Sequence, residues 1–203
     1  MRGLILILLL ATAQLAHAGA QREEELSASV RAMLQKSVSD NAPPKLMFDS
    51  EAEAYAWLDE MSRRLKKRIP DEDYRMNFLR AVHYEATRAG LDPQLVLGLI
   101  QVESGFKKYA VSGAGARGFM QVMPFWVRAI GTQDQNLFHM RINLRYGCTI
   151  LRHYLDMEHG DLYRALGRYN GSLGKAAYPN LVVNAWKRHW AYRPPAQMSA
   201  AAQ

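Results

Sequence analysis

The sequence predicts an all-α protein of roughly 7–9 helices. Apolar residues recur at helical spacing along most of the chain, and no segment sustains the alternation of a strand. Ser, Asp, Gly and Pro fall where helices start and stop. The 203 residues are 49% apolar and 22% charged, which is ordinary for a globular protein and enough to bury a core. The lone Cys148 excludes an internal disulfide and leaves no cysteine pair for zinc.

The chain opens with an export signal. Arg2 supplies the positive start, Leu4 to Ala11 is unbroken apolar sequence, and Ala16-His17-Ala18 has the small-x-small pattern of a cleavage site. The run is too short to span a bilayer. No cysteine follows it to carry a lipoprotein anchor. Residues 1–18 are expected to be removed, which places the chain in the periplasm or cell envelope without a stable membrane anchor.

Residues 21–42 read as a polar helix with a thin face of Leu26, Val30, Met33 and Leu34, broken at Asn41-Ala42-Pro43-Pro44. Residues 50–68 repeat Ala54, Trp57, Leu58, Met61 and Leu65 at helical spacing and stop at Pro70. The basic run Arg63 to Arg68 suits the negative end of that helix. Asp71-Glu72-Asp73 opens a third helix with Phe78, Leu79, Val82 and Ala86 on one face, and Gly90 closes it. Asp92-Pro93 is an N-cap followed by a first-turn proline. Gln94 to Val102 is then apolar on nearly every side, as in a buried helix. It ends at Glu103-Ser104-Gly105. Ser112 to Gly118 is a turn-rich loop. Short, long and short helices follow over 121–130, 136–157 and 161–169, the last stopped by Asn170-Gly171. A final helix covers 181–190, and the tail from 193 to 203 is loose. Residues 19–80 form an N-terminal helical arm, and 81–192 form the main domain.

A net charge of +7 and a pI near 9.6 mark either a solvated basic surface or an anionic partner. Export argues against nucleic acid. Removing residues 1–18 takes away only Arg2, so the charge stays with the exported chain. The histidines lack ligand spacing, and no phosphate-binding Gly loop occurs. No metal and no cofactor are expected.

Glu103 ends the buried helix. Burial raises a carboxyl pKa, and the negative helix end pushes the same way. A carboxyl kept protonated near neutral pH is what a general acid needs. From position alone, the alternative is a Glu that faces solvent or pairs with an arginine. Glycosidases usually use two carboxylates. Asp134, Asp156, Glu158 and Asp161 read as surface or cap positions, so Glu103 would act alone. An N-acetylated sugar could then supply its own acetamido oxygen as nucleophile.

Four segments resemble one family. Leu99-Ile100-Gln101-Val102-Glu103-Ser104-Gly105-Phe106 is similar to the "ES" motif of the soluble, goose-lysozyme-like lytic transglycosylases (the SLT superfamily, glycoside hydrolase family 23 type). Val111-Ser112-x-x-Gly115-Ala116-x-Gly118-Phe119-Met120-Gln121-x-Met123-Pro124 resembles their "GLMQ" segment, with Phe119 for Leu. Asn143, Gly147 and Leu151 resemble their central helix, and Tyr169-Asn170 their "AYN" motif, with Arg168 for Ala. The resemblance covers about residues 82–190. It implies a lysozyme-like fold and peptidoglycan glycan strands as substrate. Glu103 would be the catalytic acid/base at the bond between N-acetylmuramic acid and N-acetylglucosamine. It further implies that Ser112 holds Glu103 or the acetamido group, that Gln121 binds sugar, and that Met123 walls the cleft. Tyr169 and Asn170 would orient acid and sugar. Gly171-Ser172-Leu173-Gly174 and Tyr178-Pro179-x-x-Val182 depart from the "T-x-x-Y-V" segment of many members. A hydrolytic muramidase on the same fold and a non-catalytic peptidoglycan-binding protein are the competing readings. A cell-envelope assembly partner is compatible with each and is not identified by the sequence.

Overall fold

The computed structural model describes residues 21–132 and 134–192. The expected export segment and the tail at 193–203 lie outside them. The all-α expectation holds. Eight α-helices are present among the described residues: α1 (Ala28–Ser39), α2 (Glu51–Leu65), α3 (Glu72–Arg88), α4 (Pro93–Ser104), α5 (Phe125–Ile130), α6 (Met140–Met157), α7 (Leu162–Asn170) and α8 (Ala177–Ala185). α8 continues into a π-helical turn, Trp186–Trp190.

Local chemistry sets most boundaries. The Ser27, Ser50, Asp71, Asp92 and Asp161 side chains each accept a backbone N–H of the first turn that follows. Gly90, Gly105 and Gly171 end α3, α4 and α7 with positive φ.

Four boundaries differ from expectation. α1 starts at Ala28 and not at 21, because Ser27 caps it and the preceding acidic run is drawn to the body of the protein: Glu24 accepts a bond from Arg168 at 3.2 Å. The helix expected from 121 starts at Phe125. Gln121 has φ +48°, and residues 111, 117 and 122 form two isolated antiparallel bridges. α6 starts at Met140, because the Asn136 side chain accepts the Phe138 N–H in a turn. α8 starts at Ala177, ahead of Pro179. A first-turn proline gives up an N–H that the helix could not have used.

One apolar core takes in side chains from Leu34 and Val38 of α1 to Trp190. α4 lies inside it, packed against α3, α8 and the π-turn. Its Gly98 admits the π-turn backbone, since a Cβ there would sit 2.8 Å from the Trp186 nitrogen. α1 packs on α5 and α6, so the N-terminal arm shares the core of the rest.

Candidate active site

Glu103 stands in the last turn of α4, 6% exposed. Burial raises its carboxyl from 4.5 to about 8, against a smaller downward pull from a hydrogen bond. That bond comes from the Tyr178 hydroxyl, which donates to Oε1. Oε2 is buried and has no partner among the described residues. The neighbouring Ser104 hydroxyl faces the core, 2.7 Å from the Phe119 carbonyl and 3.2 Å from that of Ile100.

A cleft of about 440 Å³ opens beside Glu103, lined also by Lys107, Ser112, Gly113 and Gln121. Among its described lining residues Glu103 is the one carboxylate. Ser112 holds the far wall: its hydroxyl accepts the Ala116 N–H at 3.1 Å and its own N–H reaches the Ala116 carbonyl at 3.0 Å. Gln121 is 2% exposed. Its amide donates to the Ala110 and Gly118 carbonyls at 3.1 and 2.9 Å, so the amide oxygen is what it can offer the cleft.

The loop bearing these residues is fastened to α6. The buried Asn143 amide accepts the Met120 N–H at 2.8 Å and donates to the Arg117 and Leu137 carbonyls at 2.8 and 2.9 Å. Gly118 leaves room for that amide, and Gly147 leaves room for the Met120 side chain.

None of the remaining expected site residues is among the lining of the cleft. The Tyr169 hydroxyl is fully buried and donates to the Met120 carbonyl at 2.7 Å. Burial, with Glu103 nearby, keeps it protonated far above its ordinary range. Asn170 donates to the Ser172 hydroxyl at 3.1 Å, and its side-chain oxygen is buried without a partner among the described residues. Met123 is half-buried against the core and is not among the lining of the cleft.

Two contacts at the site were invisible in the sequence reading. Tyr178 appeared there only as a departure from a motif, since 75 positions separate it from Glu103. Gln21, read as part of a polar helix, is 4% exposed. Its amide donates to the Gln121 carbonyl at 3.3 Å and accepts the Met123 N–H at 3.2 Å. No local pattern announces either contact.

Known proteins match part of the chain. A transglycosylase of Enterobacteria phage PRD1 is 38% identical over 100 residues, which cover 46% of this chain and 37% of the phage protein. Membrane-bound lytic murein transglycosylase C of Actinobacillus pleuropneumoniae serotype 5b (strain L20) is 51% identical over 47 residues, 23% of this chain and 13% of that one. Its namesake in Haemophilus influenzae (strain PittEE) is 47% identical over the same length. The chain thus matches well under two thirds of each of these relatives. No solved structure matches. Among the described residues no helix is long and apolar enough to cross a membrane. Residues 80–182, just over half of the chain, match the family described as transglycosylase SLT domain, and the chain belongs to that family.

Proposed function

We propose that the protein is a peptidoglycan lytic transglycosylase acting in the periplasm or cell envelope, with Glu103 as its single general acid/base. The observation that carries this reading is the buried Glu103 carboxyl, raised to about 8, at the wall of a cleft with no second carboxylate among its described lining residues. At neutral pH it holds a proton and can deliver it. The proton goes to the glycosidic oxygen between N-acetylmuramic acid and N-acetylglucosamine as the bond from that oxygen to C1 breaks. The carboxylate left behind takes the proton of the C6 hydroxyl, whose oxygen bonds to C1 and closes a 1,6-anhydro ring. Water takes no part, and Glu103 ends as it began.

The Tyr178 hydroxyl supports this cycle by steadying the carboxylate between the two transfers. Ser112 and Gln121, which line the cleft, would meet the sugars, while the buried Tyr169 would hold the loop that carries Gln121 through the Met120 carbonyl. The names of these relatives, transglycosylase and membrane-bound lytic murein transglycosylase C, agree with the same chemistry.

The test is digestion of purified peptidoglycan, with products weighed by mass spectrometry and Glu103→Gln run in parallel. Muropeptides ending in 1,6-anhydro-muramic acid, lighter by one water than hydrolytic products, are expected from the parent and none from the variant. Reducing ends would assign a hydrolase. A variant with a near-parental rate would remove Glu103 from the mechanism.

A further inference from the structure

Three segments far apart in sequence meet at one end of the cleft. The Arg64 guanidinium at the end of α2 donates to the His189 and Ala191 carbonyls of the π-turn at 2.9 and 3.2 Å. The Arg68 guanidinium lies 5.6 Å over the Phe106 ring, and Phe106 in turn packs 5.3 Å from Trp190. Lys107, the next residue, lines the cleft with Glu103.

The convergence gathers cations. Lys66, Lys67, Arg68, Lys107, Lys187 and Arg188 are all exposed. Among the described residues none of them makes an ion pair. Of the acids that flank Lys66 to Arg68 in the chain, Glu60 holds Arg63 and Arg64, Glu72 faces Arg75 and the Asp71 side chain caps α3, while the exposed Asp59 and Asp73 make no ion pair among the described residues. A net positive field beside a cleft concentrates anions at its mouth.

We propose that this basic platform binds the carboxylates of the peptide stems on the glycan strand, so that the enzyme prefers strands whose stem carboxylates are charged to strands whose stems are neutral. The proposal rests on the reading of peptidoglycan as substrate. The glycan itself meets the cleft, where Glu103 is neutral at pH 7 and Lys107 is the one basic side chain among the described lining residues. The platform adds six positive charges at the cleft's end, and the stem carboxylates are the negative charges a strand lying in the cleft would bring there. A tether at that end raises the local concentration of strands beside Glu103. Because the cations are exposed, the attraction weakens as salt is added.

Binding is measured by cosedimentation, in a Glu103→Gln background so that the polymer is not consumed. The two polymers are intact sacculi and sacculi whose stem carboxylates have been coupled to a neutral amine with carbodiimide, which removes their charge and leaves the cross-linked network sedimentable. The background protein is expected to bind intact sacculi about tenfold more tightly, with the difference shrinking as salt rises. The triple charge reversal Lys66→Glu, Lys67→Glu, Lys187→Glu is expected to bind both polymers alike, with circular dichroism confirming its helices. The salt series on the background protein tests the platform without relying on the variant. Equal binding to both polymers, or a triple variant that keeps the preference, overturns the proposal. Tighter binding to phosphatidylglycerol vesicles than to intact sacculi, lost in the triple variant, would assign the platform to a lipid surface instead. Failure of the catalytic reading looks different: active parent then yields no anhydro product from either polymer, while the binding comparison still decides the platform.

Discussion

At the scale of single residues, Glu103 and Tyr178 form the pair on which the chemistry turns. The general acid must be protonated to act, and Glu103 holds its proton up to about pH 8. Activity is therefore expected to fall as pH rises through that value, measured as kcat/KM across pH 5–10 (roughly the span in which a raised carboxyl titrates); a rate flat to the alkaline end would contradict the acid role. Tyr178→Phe keeps the ring and removes the hydroxyl that pulls the carboxyl pKa down. It should lower kcat about tenfold, the value of one hydrogen bond, and move the alkaline limb to higher pH. Folding gives the third expectation. The folded protein binds the Glu103 proton more tightly than the unfolded chain does. This contribution to stability is whole below pH 4.5 and is lost as pH rises through about 8. Glu103→Gln escapes that loss, so at pH 8 its melting temperature should exceed the parent's by a few degrees. Glu103 was legible as a candidate because an acid closes an otherwise apolar helix. Its depth and its partner were not, because both depend on a tyrosine 75 positions away.

At the scale of elements, the site depends on how the 111–122 loop is seated on α6. Asn143 makes three hydrogen bonds to that loop and its flank. Asn143→Ala would leave buried backbone groups unpaired and should cost about 3 kcal/mol, read by denaturant unfolding, with turnover falling as Gln121 loses its seat. Gly147→Ala would place a methyl 2.4 Å from the Met120 sulfur and should cost about 1–3 kcal/mol. α4 was readable from end to end, because Asp92-Pro93 and Gly105 each have a specific backbone role there. The starts of α5 and α8 were misread. Periodicity runs through the left-handed Gln121 in one case, and in the other the helix starts at Ala177, four residues before the expected 181.

At the scale of the whole molecule, the N-terminal arm is joined to the rest through buried charge as well as through the core. Glu85, fully buried, accepts from Arg88 and Arg145. Arg145 also reaches the Val38 carbonyl and Asn41 at 3.4 Å, and Tyr84 holds Asp40 at 3.0 Å. Glu85→Ala would strand Arg145 in the interior and should cost about 3–5 kcal/mol, with thermal unfolding as the measurement. The helical class, most helix caps and the acid at the end of the buried helix are legible in the sequence, because they follow from contacts within a turn or two of the chain. That Glu103 is desolvated and held by Tyr178, that Gln21 sits on the Gln121–Met123 edge, and that three basic segments share one surface came only from the packing of the fold. Desolvation, long-range partners and summed charge depend on which distant segments meet, and the pattern of neighbouring residues does not specify that.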